Sequence, residues 1–186
     1  MEESNIESSE NTKLILSEKN ISLILDSYDD LFSDFDPRPY SARGLSDDFL
    51  TECRKAVRGK KPESQALELR LLVPKYKRKI TKENMIKKRI KEFFMNQAKE
   101  KQRDLNLIRK EGVKWFFIGA CLSLTSSFLL YQKGMLSNII LVITEPGGWF
   151  SLWTGLDKLF IEPKSKKPEL EFYNSMAKMS IKFYSY

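Results

Sequence analysis

The sequence of 186 residues contains no histidine, and that gap closes much of ordinary enzyme chemistry. Imidazole is the commonest general base near neutral pH, the usual activator of a serine or cysteine nucleophile and the commonest transition-metal ligand. Cysteine is nearly as scarce. Cys53 falls in a predicted helix and Cys121 in an apolar run. They form neither a disulfide framework nor a zinc spacing, and read as small buried hydrophobes. Glycine-rich phosphate loops and nucleophile elbows are missing as well. The first ten residues, MEESNIESSE, lack the basic start, apolar stretch and cleavage site of a secretory signal. These gaps weigh against an enzyme. They leave no catalytic or cofactor-binding residue to name, and no cofactor is expected.

What the chain has instead is a pair of apolar segments, Trp115 to Tyr131 and Leu136 to Leu156, joined by Gln132-Lys133-Gly134-Met135. The first, WFFIGACLSLTSSFLLY, carries no charge over 17 residues. As a helix it measures roughly 26 Å against a hydrocarbon core of about 30 Å. Lys114 and Lys133 bracket it, and Trp115 and Tyr131 are aromatics suited to the two interfaces. So short a link allows only an antiparallel hairpin; the plainer alternative is a buried helix of a soluble domain. The second segment is interrupted by Glu145-Pro146-Gly147-Gly148, where a regular helix is not expected to pass undisturbed. Two readings stay open. Either Glu145 lies functionally within a broken membrane segment, or the chain reaches the interface there and Trp149 to Trp153 lies along the surface.

Charge is unevenly placed: residues 1–57 carry a net −7, residues 58–114 a net +12 and residues 115–186 a net +2. The mean hydropathy of −0.42 looks soluble only because the polar first half dilutes the apolar part. Basic residues up to Lys114 precede the first span, and Lys158, Lys164, Lys166 and Lys167 follow the second, whereas the link has Lys133 alone. By the positive-inside rule both termini face the cytoplasm of a multi-pass protein in the cell (inner) membrane.

In chain order, residues 1–19 read as a mobile acidic tail and residues 20–80 as a small cytoplasmic α+β domain. That domain has a strand at Ile21 to Leu25, a loop containing five aspartates, and a helix opened by Ser46 with Leu45 stapling onto Leu50. The helix stops near Gly59 and Pro62, and a period-two strand follows from Leu67 to Val73. Strand, helix and strand in that order predict a βαβ-like unit with parallel strands. Residues 81–112, capped by Thr81, form a long basic amphipathic helix leading into the membrane and bending near Gly112. Residues 113–158 are the transmembrane helical hairpin. Residues 159–186 are a C-terminal tail packing on the cytoplasmic domain, with Pro163 and Pro168 delimiting a linker, a helix from Glu169 to Lys178 and a strand from Ile181 to Tyr186. The predicted class is therefore a membrane protein, an antiparallel hairpin carrying a small α+β domain.

Two constellations carry chemistry. Asp26, Asp29, Asp30, Asp34 and Asp36 are the oxygen donors a hard cation would use, but their spacing matches no calcium loop, and pairing with Arg38 and Arg43 accounts for them more simply. The basic residues Lys87, Lys88, Lys91, Arg109, Lys110 and Lys114 are candidates for binding anionic lipid, with an ordinary solvated helix face as the alternative; nucleic acid is not expected. The stretches SDFDPRPYSARGLSDDFLTECRKA, EPGGWFSLWTGLDKLF and PELEFYNSMAKMSIKFYSY resemble an uncharacterised family of small prokaryotic two-segment membrane proteins, from about Ile21 onward. The resemblance implies no activity, cofactor or binding residue, only that loop, hairpin and tail belong to one unit.

The expected function is an integral membrane binding or scaffold protein displaying its cytoplasmic domain at the inner leaflet. Its partners are the bilayer, anionic lipid, and further copies of itself or another membrane protein. The alternative is an oligomeric transport or pore component using Glu145 in a broken second segment. A third class is a divalent-metal-dependent membrane enzyme built on the aspartate loop.

Overall fold

The computed structural model describes residues 20–58, 68–132 and 134–186. The acidic start at residues 1–19, the helix stop near Gly59 and Pro62, Leu67 and the link residue Lys133 lie outside them. The chain forms two compact units, Met1–Ala98 together with Phe172–Tyr186, and Lys99–Glu171.

In the first unit three short strands, β1 (Ile21–Ile24), β2 (Glu68–Val73) and β3 (Ser180–Ser185), lie parallel in the order β1-β2-β3. Parallel neighbours cannot be joined by a tight hairpin and need a crossover. The first crossover holds α1 (Asp47–Val57), and the second runs from residue 74 to residue 179. The register sets Ile21, Leu69 and Ile181 side by side, and likewise Leu23, Leu71 and Phe183, so these alternate residues share one face. Against it lie Phe49, Leu50 and Cys53 of α1, Ile86, Ile90 and Phe94 of α2 (Ile80–Leu129), and Tyr173 and Met176 of α4 (Glu162–Lys178), forming one core. Helix α1 begins where the sequence predicts. Ser46 Oγ accepts from the Phe49 N–H at 3.2 Å, and Asp47 and Asp48 occupy the positive end of the dipole.

Two details depart from expectation. The alternation in β2 predicts one solvated face, yet all six of its residues are buried. Its polar members are paired: Glu68 accepts from Arg70 Nε at 2.8 Å and meets Lys182 Nζ at 2.6 Å, and charge that loses water must find such partners. Burial pushes the Glu68 carboxyl up, but the bonds from Lys182 and Arg70 outweigh it and hold it below the usual glutamate value. Thr81 is not the cap of α2, which starts one residue earlier. That entry is fixed instead by Glu83, which is 3% exposed and accepts from Arg78 Nε at 2.8 Å and from the Tyr28 hydroxyl at 3.1 Å. Tyr28 in turn accepts the Lys79 N–H at 2.9 Å, and Arg78 donates to the Phe183 carbonyl at 3.3 Å.

This network sets an acid limit. The Arg78 hydrogen bond holds the Glu83 carboxyl below its ordinary value of 4.5, against the opposing pull of burial. A depressed folded-state pKa contributes stability that is complete above the unfolded value and drains away as pH falls through the folded one. Melting temperature should therefore hold between neutral pH and about pH 5 and decline below that. Glu83→Gln should cost about 2 kcal/mol at neutral pH and flatten the acid decline. An acid decline of unchanged steepness in the variant would contradict this assignment.

The second unit contains the rest of α2, then α3 (Met135–Leu156), a π turn at Asp157–Ile161 and the start of α4. Within its apolar stretches the buried residues are small ones, Gly119 and Ser126 on α2 and Gly148, Ser151 and Gly155 on α3, while the large apolar side chains around them are exposed or half-buried. Gly112, Gly119 and Ser126 recur every seven residues, as do Gly148 and Gly155, which lines each set along one helical stripe. The stripes meet antiparallel. A methyl placed on Gly119 would strike the backbone of Leu152 and come within 2.9 Å of the Gly148 carbonyl; one on Gly148 would sit 2.7 Å from Ser123 Oγ. Ser126 Oγ and Thr144 Oγ1 close the seam at 2.8 Å.

Helix α3 corrects the expected break at Glu145-Pro146-Gly147-Gly148, because it runs through them without interruption. Pro146 costs one backbone bond and is exposed, and Gly148 behind it lets α3 approach α2 closely at Leu122 and Ser123. Gly112 does not interrupt α2 either; it is used for packing near Gly155. The predicted linker between Pro163 and Pro168 is also helical, as part of α4, so that helix begins before Glu169. In the π turn just ahead of Pro163, the Glu162 N–H bonds to Asp157 O, five residues back. A widened turn of this kind takes in a residue that has no donor.

Candidate functional site

The aspartate loop is closed at its base by an antiparallel bridge between Phe32 and Leu45, with the Ser33 N–H bonding Gly44 O at 2.9 Å and the Ser46 N–H bonding Leu31 O at 3.0 Å. Within it the carboxylates have structural work. Asp30 accepts from the Asp26 and Ser27 N–H groups at 2.7 and 2.9 Å and completes a capping box around the turn Tyr28–Leu31. Asp29 pairs with Arg43 at 2.8 Å and accepts from Tyr40 at 3.0 Å. Asp36 pairs with Arg38 at 2.8 Å and accepts the Gly44 N–H at 2.7 Å, and these bonds hold its carboxyl far below the usual range. Arg89 of α2 reaches the same loop, but through the carbonyls of Arg43 and Ala42 rather than through the acids.

Beside the loop lies an open groove of about 500 Å³, lined by Asp30, Phe32, Ser33, Asp34, Phe35, Leu45, Ser46, Asp47 and Asp48. Asp34, Asp47 and Asp48 are exposed around it, and the Phe35 ring stands almost free in solvent. Among the described residues no three acidic or cysteine side chains converge closely enough to hold a metal ion. Millimolar Mg²⁺, Mn²⁺ or Ca²⁺ should accordingly leave the melting temperature of the detergent-solubilised protein as it is in EDTA. An occupied site would add about 2.7 kcal/mol at a hundredfold excess over Kd. A metal-specific rise that vanishes in Asp29→Asn/Asp30→Asn would establish a site in the loop.

The six basic candidates divide between the units. Lys87, Lys88 and Lys91 belong to the first, where Lys87 Nζ lies 5.6 Å from the Phe183 ring centroid and Lys88 faces Glu92 at 3.9 Å. Arg109, Lys110 and Lys114 belong to the second and are exposed directly before the apolar stretch. Close by, Lys158 pairs with Glu111, and that bond holds the Glu111 carboxyl below its usual value. Glu145 is exposed on α3, three residues before Gly148 and on the flank of the glycine seam. Cys53 is sealed in the core of the first unit, where burial pushes its thiol up to about 12, a value at which it stays inert. The sequence reading missed the buried Tyr28–Arg78–Glu83 network, which no spacing reveals, and the small-residue seam, whose seven-residue repeat is visible in the sequence.

Helices α2 and α3–α4 are long and apolar enough to cross a membrane, and only 17% of the most apolar window of each is buried. We found no family model, curated protein or solved structure that matches the chain.

Proposed function

We propose that the chain is an integral membrane binding or scaffold protein that holds its small α/β unit at the cytoplasmic face of the cell membrane. One observation carries this reading, namely the inside-out packing of the second unit. Phe117, Leu124 and Phe128 of α2 and Val142, Ile143 and Phe150 of α3 are exposed, while glycine and serine fill the seam. In water this arrangement forfeits the apolar burial that drives folding and leaves a contiguous greasy surface. In a bilayer it is favourable, because lipid already solvates the large side chains and helix association relies on close contact between small ones. Lys114 and the Glu111–Lys158 pair lie at one end of the apolar zone and Tyr131 and Gln132 at the other, which supports a crossing rather than a surface helix. The acidic groove with its free Phe35 is the surface that such a protein would present to a partner in the cytoplasm.

The test is cysteine labelling of the full chain in cells, in a Cys53→Ser/Cys121→Ser background. Lys133→Cys should react with an impermeant maleimide from outside, and Glu100→Cys and Lys166→Cys only after the cytoplasmic side is opened. Labelling of Lys133→Cys solely from the cytoplasmic side would overturn the crossing and favour a re-entrant hairpin. A chain that stays in solution without detergent would overturn the membrane reading altogether.

A further inference from the structure

We infer that a second copy of this chain packs along the outer face of α3, in a parallel pair centred on Asn138 and Glu145. The inference rests on the membrane reading above. Asn138, Val142, Glu145 and Trp149 are all exposed, and their spacing of four, three and four residues places them on one stripe of the helix. Trp153, stacked on Trp149 with ring centroids 6.1 Å apart, extends the stripe by one turn. This face is distinct from the one that meets α2. There the polar groups are already matched, Ser126 to Thr144, and the Thr144 hydroxyl lies 3.0 Å from Ile140 O. On the outer face Asn138 and Glu145 make no side-chain hydrogen bond or ion pair among the described residues.

Depth makes that difference matter. Ten residues of helix separate Met135 from Glu145, roughly 15 Å, or half of a hydrocarbon core of about 30 Å. Asn138 lies only three residues from Met135, roughly 4.5 Å in, so the larger cost falls on the Glu145 carboxyl facing lipid near mid-depth. Pairing with another helix is the usual remedy for such a group, and the amide gains from the same pairing. The chemistry selects the partner. All copies insert with the same orientation, so two α3 helices related by an axis along the membrane normal bring each residue to its own equivalent at the same depth. An amide donates and accepts and is its own complement. Two carboxyls that share a proton are too, since they cannot both ionise at close range. One symmetry operation thus satisfies both residues, and the stripe between and beyond them supplies Val142 and Trp149 as apolar contacts. A basic residue on an unrelated helix would answer Glu145 alone.

The test uses full-length single-cysteine variants in the same cysteine-free background, reconstituted in phosphatidylcholine/phosphatidylglycerol liposomes and oxidised with copper phenanthroline. Val142→Cys should give disulfide-linked dimers, and Leu124→Cys, on the exposed face of α2, far fewer. Adding Asn138→Leu/Glu145→Leu to the Val142→Cys chain should lower dimer yield roughly tenfold at equal protein-to-lipid ratio, whereas Glu145→Gln, still self-complementary, should preserve it. Ser126→Cys/Thr144→Cys should close within one chain in every background, which separates loss of the dimer from loss of the hairpin. Equal yields at Val142→Cys and Leu124→Cys, or none at either, in protein that resists carbonate extraction would overturn the dimer and leave the membrane reading standing. Protein removed by carbonate would overturn both.

Discussion

Replacing Gly148 by alanine should open the helical hairpin, and the same replacement at the adjacent Gly147 should leave it closed. In an isolated helix the two changes are equivalent, each gaining up to about 1 kcal/mol of helix propensity. Their surroundings differ. A methyl on Gly147 would find Leu122 Cδ1 at 3.9 Å, an ordinary contact, so the propensity gain survives. A methyl on Gly148 would lie 2.7 Å from Ser123 Oγ, 3.0 Å from the Ser123 nitrogen and 3.3 Å from Leu122 Cβ. Backbone cannot turn aside as a side chain can, so the helices must separate and lose dispersion contacts along the whole seam. Overpacking of this kind costs about 1–3 kcal/mol, and no hydrophobic force between helices in lipid offsets it. Gly119→Ala should be at least as damaging, because its methyl meets the backbone of Leu152 and Gly148. Disulfide closure between Ser126→Cys and Thr144→Cys in bicelles measures the effect. Equal closure in the Gly147→Ala and Gly148→Ala chains would refute the seam as drawn.

The pair also explains why the sequence misleads at this point. Local rules for proline and glycine describe one helix in isolation, and by those rules Glu145-Pro146-Gly147-Gly148 should break it. The compensation sits on another helix, at Ser123 and Gly119, and appears only when the two are brought together. The seven-residue recurrence of Gly112, Gly119 and Ser126 was legible, but composition alone made that stretch look uniformly apolar. Helix α1 was readable because its cap, first-turn acids and apolar face all act within a few residues. The density of carboxylates in the aspartate loop was equally plain. Their use was not, since it depends on the Gly44 N–H, on Arg43 folding back to Asp29, and on the closing bridge between Phe32 and Leu45. Glu145 stood out as a charge in an apolar run, whereas Asn138 gained meaning only once the helical phase was fixed through both.

Phe183→Ala should destabilise the first unit by about 3–5 kcal/mol, and removal of residues 180–186 should cost more. Strand β3 pairs with β2 over six residues, although some hundred residues of chain separate the two. Phe183 is 6% exposed and meets Tyr28 edge-on with centroids 5.9 Å apart, and its carbonyl receives Arg78 from the network that also holds Glu83. Truncating the side chain empties a large core position but leaves the ladder in place. Deleting the strand also strips β2 of one of its two hydrogen-bonded neighbours and leaves an open apolar edge, the kind of surface that invites aggregation. A domain of ordinary stability has about 5–15 kcal/mol in hand, so the deletion should leave little of the fold intact. Limited proteolysis of the full-length detergent-solubilised protein reads this directly, with Tyr184→Ala as a control on the opposite face of the same strand. Cleavage within residues 20–98 should accelerate sharply in the deletion and measurably in Phe183→Ala, and much less in Tyr184→Ala. Unchanged protease resistance after the deletion would mean that β1, β2 and the helices hold together without β3, and that the return of the chain from the apolar hairpin is not what completes the sheet.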